Sequence, residues 1–287
     1  MTPPTHHALD HAFQVRCDLA ALHEYLLEVL RPLATTDRNG PVTTYRLEVA
    51  KGAPFRLHSD NDELVASAFP SRPVAHLLNQ INTRAIRATG SSWTLLHAGA
   101  VAVGPRAVVL PAAMEAGKST LVAGLVRSGA TYLSDEIAAI SPKTGRLRPY
   151  PRSLSLDPGS WHLFPECRPD TLPEIRRFLP DQWQVQLTNV GTRTCMADIA
   201  LVVHHRYEAG ASTVTRTLEP VEAVRMMLET CFTLHDHPDR DLNVLGWTGE
   251  RCPHVEVVSG NLDEAIRTVQ DVAFALADLD WDPCPTS

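Results

Sequence analysis

Apolar positions along the chain change period several times, and the changes mark out alternating helices and strands. Residues 19–30 carry leucines, alanines and Val29 at helical spacing behind Asp18, which reads as an N-cap. Segments 44–49 and 63–68 predict short strands, and 74–89 returns to helical periodicity. Residues 93–103 are β-prone, and Gly104-Pro105 turns the chain into a second, buried strand at 106–110. A helix follows over 119–127 and stops at Ser128-Gly129, with glycine in the expected cap position. Strand 131–134 runs into Asp135-Glu136, 137–140 continues it, and Pro142-Lys143-Thr144-Gly145 turns the chain back.

From 149 to 180 there are seven prolines in 32 residues, which excludes regular sheet or a long helix. That stretch reads as a wrapping loop with one short helix near Glu174. Alternation resumes with a buried strand at 199–203. Pro220 opens a helix whose apolar positions are Val221, Val224, Met227, Leu228 and Cys231. A last strand at 253–258 precedes a closing helix capped by Asn261, with Asp263 and Glu264 suited to its dipole. The pattern divides into an N-terminal α/β section over 1–90, a larger α/β domain over 91–280 and a tail at 281–287.

Charge narrows the partners. Lys and Arg total 26 against 33 Asp and Glu, a net of 26 − 33 = −7, so no surplus cation is present to displace counterions from nucleic acid. The start, Met1-Thr2-Pro3-Pro4-Thr5-His6-His7, lacks the apolar run of a secretory or membrane-spanning segment. Six scattered cysteines without a Cys-x-x-Cys spacing fit a reducing compartment. The expectation is a cytoplasmic protein with neither a nucleic-acid nor a membrane partner. Homo-oligomerisation is left open.

One segment carries recognisable chemistry. Strand 106–110 leads through a loop of mostly small residues to Gly117-Lys118-Ser119-Thr120 at a helix start, the order of a phosphate-binding P-loop. The loop is Pro111, Ala112, Ala113, Met114, Glu115 and Ala116. Lys118 would reach the β- and γ-phosphates, and the Ser119 hydroxyl would hold Mg²⁺. The first glycine of the full pattern is Ala112 here, and Glu115 sets a carboxylate in a loop that cradles anions. Asp135 and Glu136 follow the next strand, as phosphoryl transfer requires of a carboxylate that orients an acceptor hydroxyl. In a parallel sheet, that strand end would lie beside the loop. Adjacent extended residues point to opposite faces, so one carboxylate would reach the acceptor while the other holds metal or its water. His97 sits on the strand before the loop, whereas His204-His205 and His235-Asp236-His237 lack a further ligand at diagnostic spacing.

Taken in order, these residues resemble the HPr kinase/phosphorylase superfamily, particularly the HprK-related bacterial serine kinases. The resemblance runs through Leu96-His97-Ala98-Gly99-Ala100-Val101, Ala116-Gly117-Lys118-Ser119-Thr120 and Leu133-Ser134-Asp135-Glu136. It continues in Arg148-Pro149-Tyr150-Pro151-Arg152, Ser153-Leu154-Ser155-Leu156, Leu218-Glu219-Pro220-Val221-Glu222-Ala223 and Asn261-Leu262-Asp263-Glu264-Ala265, covering about 90–275. It implies an α/β P-loop kinase core related to phosphoenolpyruvate carboxykinase, with a smaller α/β N-terminal section. It further implies transfer of phosphate from ATP, or from pyrophosphate in some members, to a serine hydroxyl. The family's P-loop lysine falls on Lys118, its metal-side hydroxyl on Ser119, its acidic pair on Asp135 and Glu136, and its histidine on His97. Arg152 is a further candidate for contacting phosphate, and Glu136 for holding metal.

The implied cofactors are ATP and Mg²⁺, with a serine or other hydroxyl of a peptide, protein or small molecule as acceptor. Where paired aspartates are usual, this chain has Asp135 and Glu136. The stretch that engages HPr is not recognisable, which points away from HPr itself. Two alternatives use the same residues: a nucleotide- or peptide-binding module without turnover, and a phosphorylase or phosphatase of the same family.

Overall fold

In the computed structural model, which describes residues 3–36, 40–49, 54–112, 116–191 and 195–276, the chain forms a mixed α/β architecture in two units. One comprises Met1–Thr89 with Arg152–Gln186, the other Gly90–Pro151 with Leu187–Ser287. The first sheet begins with β1 (Thr5–Ala8) and β2 (His11–Cys17), joined by a tight turn at Leu9, whose φ of +53° is unusual for a residue with a branched side chain. α1 (Ala20–Leu30) buries Leu22, Leu26, Val29 and Leu30. Its N-cap is Leu19, not the expected Asp18, and the Asp18 amide bonds the Leu47 carbonyl at 3.2 Å.

β3 (Ala34–Thr35), β4 (Thr43–Glu48), β5 (Phe55–Ser59) and β6 (Asp62–Ser67) complete a six-stranded sheet ordered β3-β1-β2-β4-β5-β6. β2 and β4 run parallel across the α1 crossover, and the other pairs are antiparallel. α2 (Ser71–Gly90) buries Leu77, Ile81 and Ala85. The polar run at β1 hid a strand: His6 is buried and stacks on Phe13 at 5.3 Å, and His11 meets the Tyr45 hydroxyl at 3.1 Å.

The second unit starts with β7 (Thr94–Val103), β8 (Arg106–Pro111) and α3 (Lys118–Arg127). β9 (Thr131–Ser134), β10 (Ile137–Ile140) and β11 (Leu147–Arg148) follow. The proline-rich stretch returns to the first unit with β12 (Leu154–Leu156) and β13 (Trp183–Val185), an antiparallel ribbon. Between them lie three 3-10 turns, Pro158–Leu163, Pro165–Cys167 and Arg176–Phe178; the last lies close to the short helix expected near Glu174. β14 (Asp198–Tyr207), β15 (Val214–Thr217), α4 (Pro220–Leu228), α5 (Pro238–Arg251), β16 (His254–Ser259) and α6 (Leu262–Ala275) finish the second unit.

Its large sheet is ordered β11-β10-β7-β8-β14-β16-β15, with β9 also paired to β7. β8, β14 and β16 are mutually parallel, whereas β7 is antiparallel to β8, and β9 and β10 to β7. Alternation sends Leu96, Ala98, Ala100, Ala107 and Val109 to one face, where they cluster with Met227 of α4 and with Val244 and Leu245 of α5. Gly99, of opposite parity, faces Val122 of α3 on the other side. α6 packs against α3 at Gly124, where an added Cβ would come within 2.5 Å of Ile266 Cδ1.

Candidate phosphate-binding site

Local chemistry bends the chain at both ends of the loop. β8 buries Ala107, Val108, Val109 and Leu110, so it emerges from the sheet only at Pro111 and Ala112. Ala112 stays buried and its amide bonds the His97 carbonyl at 3.3 Å. Of the loop residues named from the sequence, Ala113, Met114 and Glu115 lie outside the described residues. The chain re-enters at Ala116 and caps α3 with Gly117 at φ +82°, left-handed backbone that glycine adopts without steric cost. Gly117 brings no side-chain cap to α3, and no acidic residue stands in its first turn.

Lys118 begins α3 and is buried. Gly99 makes room for it, since a Cβ there would stand 3.2 Å from Lys118 Cγ and 2.6 Å from Val122 Cγ2. The lysine stem thus runs along β7, and its ammonium donates to the Asp135 carbonyl. Ser119 and Thr120 follow in the first turn of α3, both half-buried.

Asp135 and Glu136 were expected at a strand end in a parallel sheet. They lie instead at a bend within an antiparallel partner of β7, because β9 and β10 both pair with that one strand. Ser134 makes the bend: its Oγ donates to the Ile137 carbonyl at 2.8 Å and accepts from the Glu136 and Ile137 amides. The two carboxylates then part. Asp135 is buried and accepts from the Tyr132 hydroxyl at 2.9 Å, while Glu136 is half-exposed and lies 4.0 Å from His97 Nε2.

His97 also rests against Phe232, ring centroids 5.7 Å apart. Burial, then the Lys118 ammonium, push its pKa below the ordinary imidazole value, and Glu136 opposes them. Its ring is therefore neutral at neutral pH, with a nitrogen able to accept a proton.

The other flank of the loop holds residues that sequence reasoning set aside. His204 and His205 face opposite sides of β14: His204 bonds the His254 ring at 3.2 Å, and His205 lies against the loop. A Cβ on Gly117 would stand 3.5 Å from His205 Cε1 and 3.3 Å from Tyr207 Cβ. Burial drives the His205 pKa down to about 4 despite a hydrogen bond to the Ala116 backbone. Its Nδ1 is buried with no hydrogen-bond partner. The signal was period two: positions 205 and 207 share a strand face, but only the parallel β8–β14 pairing puts that face beside the loop.

Lys118, Asp135, Glu136 and His97 therefore meet, with Ser119 and Thr120 in the same helical turn. Arg152 belongs to the first unit, where it bonds the Ser155 hydroxyl at 2.6 Å. His235 and His237 border the start of α5, and among the described residues no three His, Cys, Asp or Glu side chains gather around a metal position. No described helix is long and apolar enough to cross a membrane, and the five described cysteines are free thiols.

No protein-family profile matches the chain, and no curated protein matches its sequence. Among solved structures it is similar to the Hpr(Ser) kinase/phosphatase from Coxiella burnetii, with 11% identity over 63% of this chain and 91% of that one, at a TM-score of 0.30. So loose an overlap carries no argument.

Proposed function

We propose that the chain is an ATP-dependent kinase that phosphorylates a hydroxyl group, with serine in a peptide or protein as the leading acceptor class. The observation that carries this reading is the convergence at one helix start of Gly117, the Lys118 ammonium and the Asp135-Glu136 bend. A main-chain anion site beside a buried cation suits a polyphosphate. Carboxylates within reach of it suit the deprotonation of an incoming hydroxyl.

In this mechanism Lys118 leaves the Asp135 carbonyl for the transferring phosphate and offsets its growing charge. Glu136, the more exposed carboxylate, orients the acceptor hydroxyl and takes its proton, with neutral His97 beside it to share that proton. Asp135, held by Tyr132, keeps the inner position. Magnesium fits a site with few protein ligands, since it takes phosphate and water oxygens together with one or two from the protein. Ser119 is the residue that would hold it, and the ion would supply charge neutralisation on the phosphates.

Titration of the full chain with Mg-ATP tests this reading, followed by incubation with serine-containing peptides and detection of phosphopeptide by mass. Binding with phosphate transfer supports the kinase. No binding at millimolar nucleotide removes it, and tight binding without ATP consumption across acceptors replaces it with a sensing module.

A further inference from the structure

The strand order around β8 separates two sets of residues. On the β7 side stand Lys118, Asp135, Glu136 and His97, the groups placed above at the transferring phosphate. On the β14 side stand His205 and Tyr207, both against Gly117. A nucleotide whose terminal phosphate lies at the first set must run its remaining length away from it. The β14 end lies on the other flank of Gly117 from that set.

That end has the composition of a ligand wall. Tyr207 closes β14 with its Cβ packed toward Gly117, yet the residue is 57% exposed. An aromatic ring left this open beside Gly117 presents a face on which a base can lie. The ring's backbone is held in place: the Glu208 amide bonds the Ser259 carbonyl at 3.1 Å and the Gly260 amide bonds the Ala211 carbonyl at 3.2 Å. Gly260 has no room for a side chain, since a Cβ would stand 2.7 Å from the Glu208 carbonyl oxygen. Two residues earlier on the same strand face, His205 is about nine-tenths buried, with Nδ1 lacking a partner and 3.8 Å from the Gly117 Cβ position.

Resting on the phosphate-site reading above, we propose that the end of β14 is the nucleoside subsite: Tyr207 stacks on the base, and His205 steadies the loop at Ala116 with Nδ1 left as a polar contact for the ligand. A neutral His205 ring suits that contact, because a nitrogen without a proton accepts from a ribose hydroxyl or a bound water.

The experiment measures Mg-ATP and Mg-tripolyphosphate affinity for the full chain, Tyr207→Ala and Tyr207→Phe, with thermal melting of each. Tripolyphosphate carries the charges without a base. The expected result is an about tenfold or greater loss of ATP affinity in Tyr207→Ala, retention in Tyr207→Phe and no change for tripolyphosphate. Unchanged ATP affinity in Tyr207→Ala, or an equal loss for both ligands, overturns the subsite while leaving the phosphate loop standing. An unsubstituted chain that binds neither ligand overturns the loop reading and the subsite with it.

Discussion

The two strands beside β8 meet it in opposite senses, and that difference organises the site. β7 is antiparallel, so its beginning reaches the loop and brings His97 against Ala112. β14 is parallel, so its ending reaches the loop and brings His205 and Tyr207 against Gly117. The first flank gathers charge, an ammonium and two carboxylates, around the His97 ring. The second has a neutral ring and an open aromatic. An asymmetric ligand, charged at one end and flat at the other, is what such a pair of flanks selects.

Four changes test the contrast, beginning with the strongest. Lys118→Met should remove the cation from the charged flank and cut turnover by roughly 100-fold or more, read as initial rates of ATP consumption. Glu136→Gln should slow transfer by about 100-fold while ATP affinity stays within about twofold, read by titration and single-turnover rates. If Glu136→Gln turned over normally, the proton would have to leave by way of Asp135.

The third test concerns acid. His204 is held down to about 3, and His11, His205 and His254 to about 4, in each case mainly by burial. These rings stay neutral in the fold, whereas the unfolded chain takes up protons below the ordinary value of 6.5. Their contribution to stability is therefore full above that value and is lost as pH falls from it toward 4. The denaturation midpoint followed across that window should drop steadily with acid; a flat profile would mean that the rings titrate freely. The smallest change is Gly117→Ala, which puts a Cβ on left-handed backbone. It should cost about 1–2 kcal/mol of local strain, read as a lower melting temperature together with weaker Mg-ATP binding.

Much of the charged flank was legible in the chain. Strand, loop and helix follow one another without interruption from 106 to 127, and local periodicity marks each of them. The Asn261 cap was equally plain, and its side chain accepts from the Glu264 amide at 3.1 Å. α5 was not legible, because Gly246 and Gly249 weaken its helical signal. Gly249 serves packing: a Cβ there would stand 2.6 Å from Val224 Cγ2 of α4. The β14 flank was hidden for another reason. Which strand lies beside β8, and in which direction, is settled by pairing across some ninety residues, and no local pattern carries that information.

The Lys118 ammonium donates to a peptide oxygen, that of Asp135. Substituting the Asp135 side chain leaves that oxygen in place, so the lysine keeps its orientation even in variants that lose the carboxylate. Its stem lies along β7 and its ammonium is already hydrogen-bonded before any guest arrives, so capture does not have to freeze a loose tether. Recognition at this spot should consequently draw little of its cost from disorder in the host.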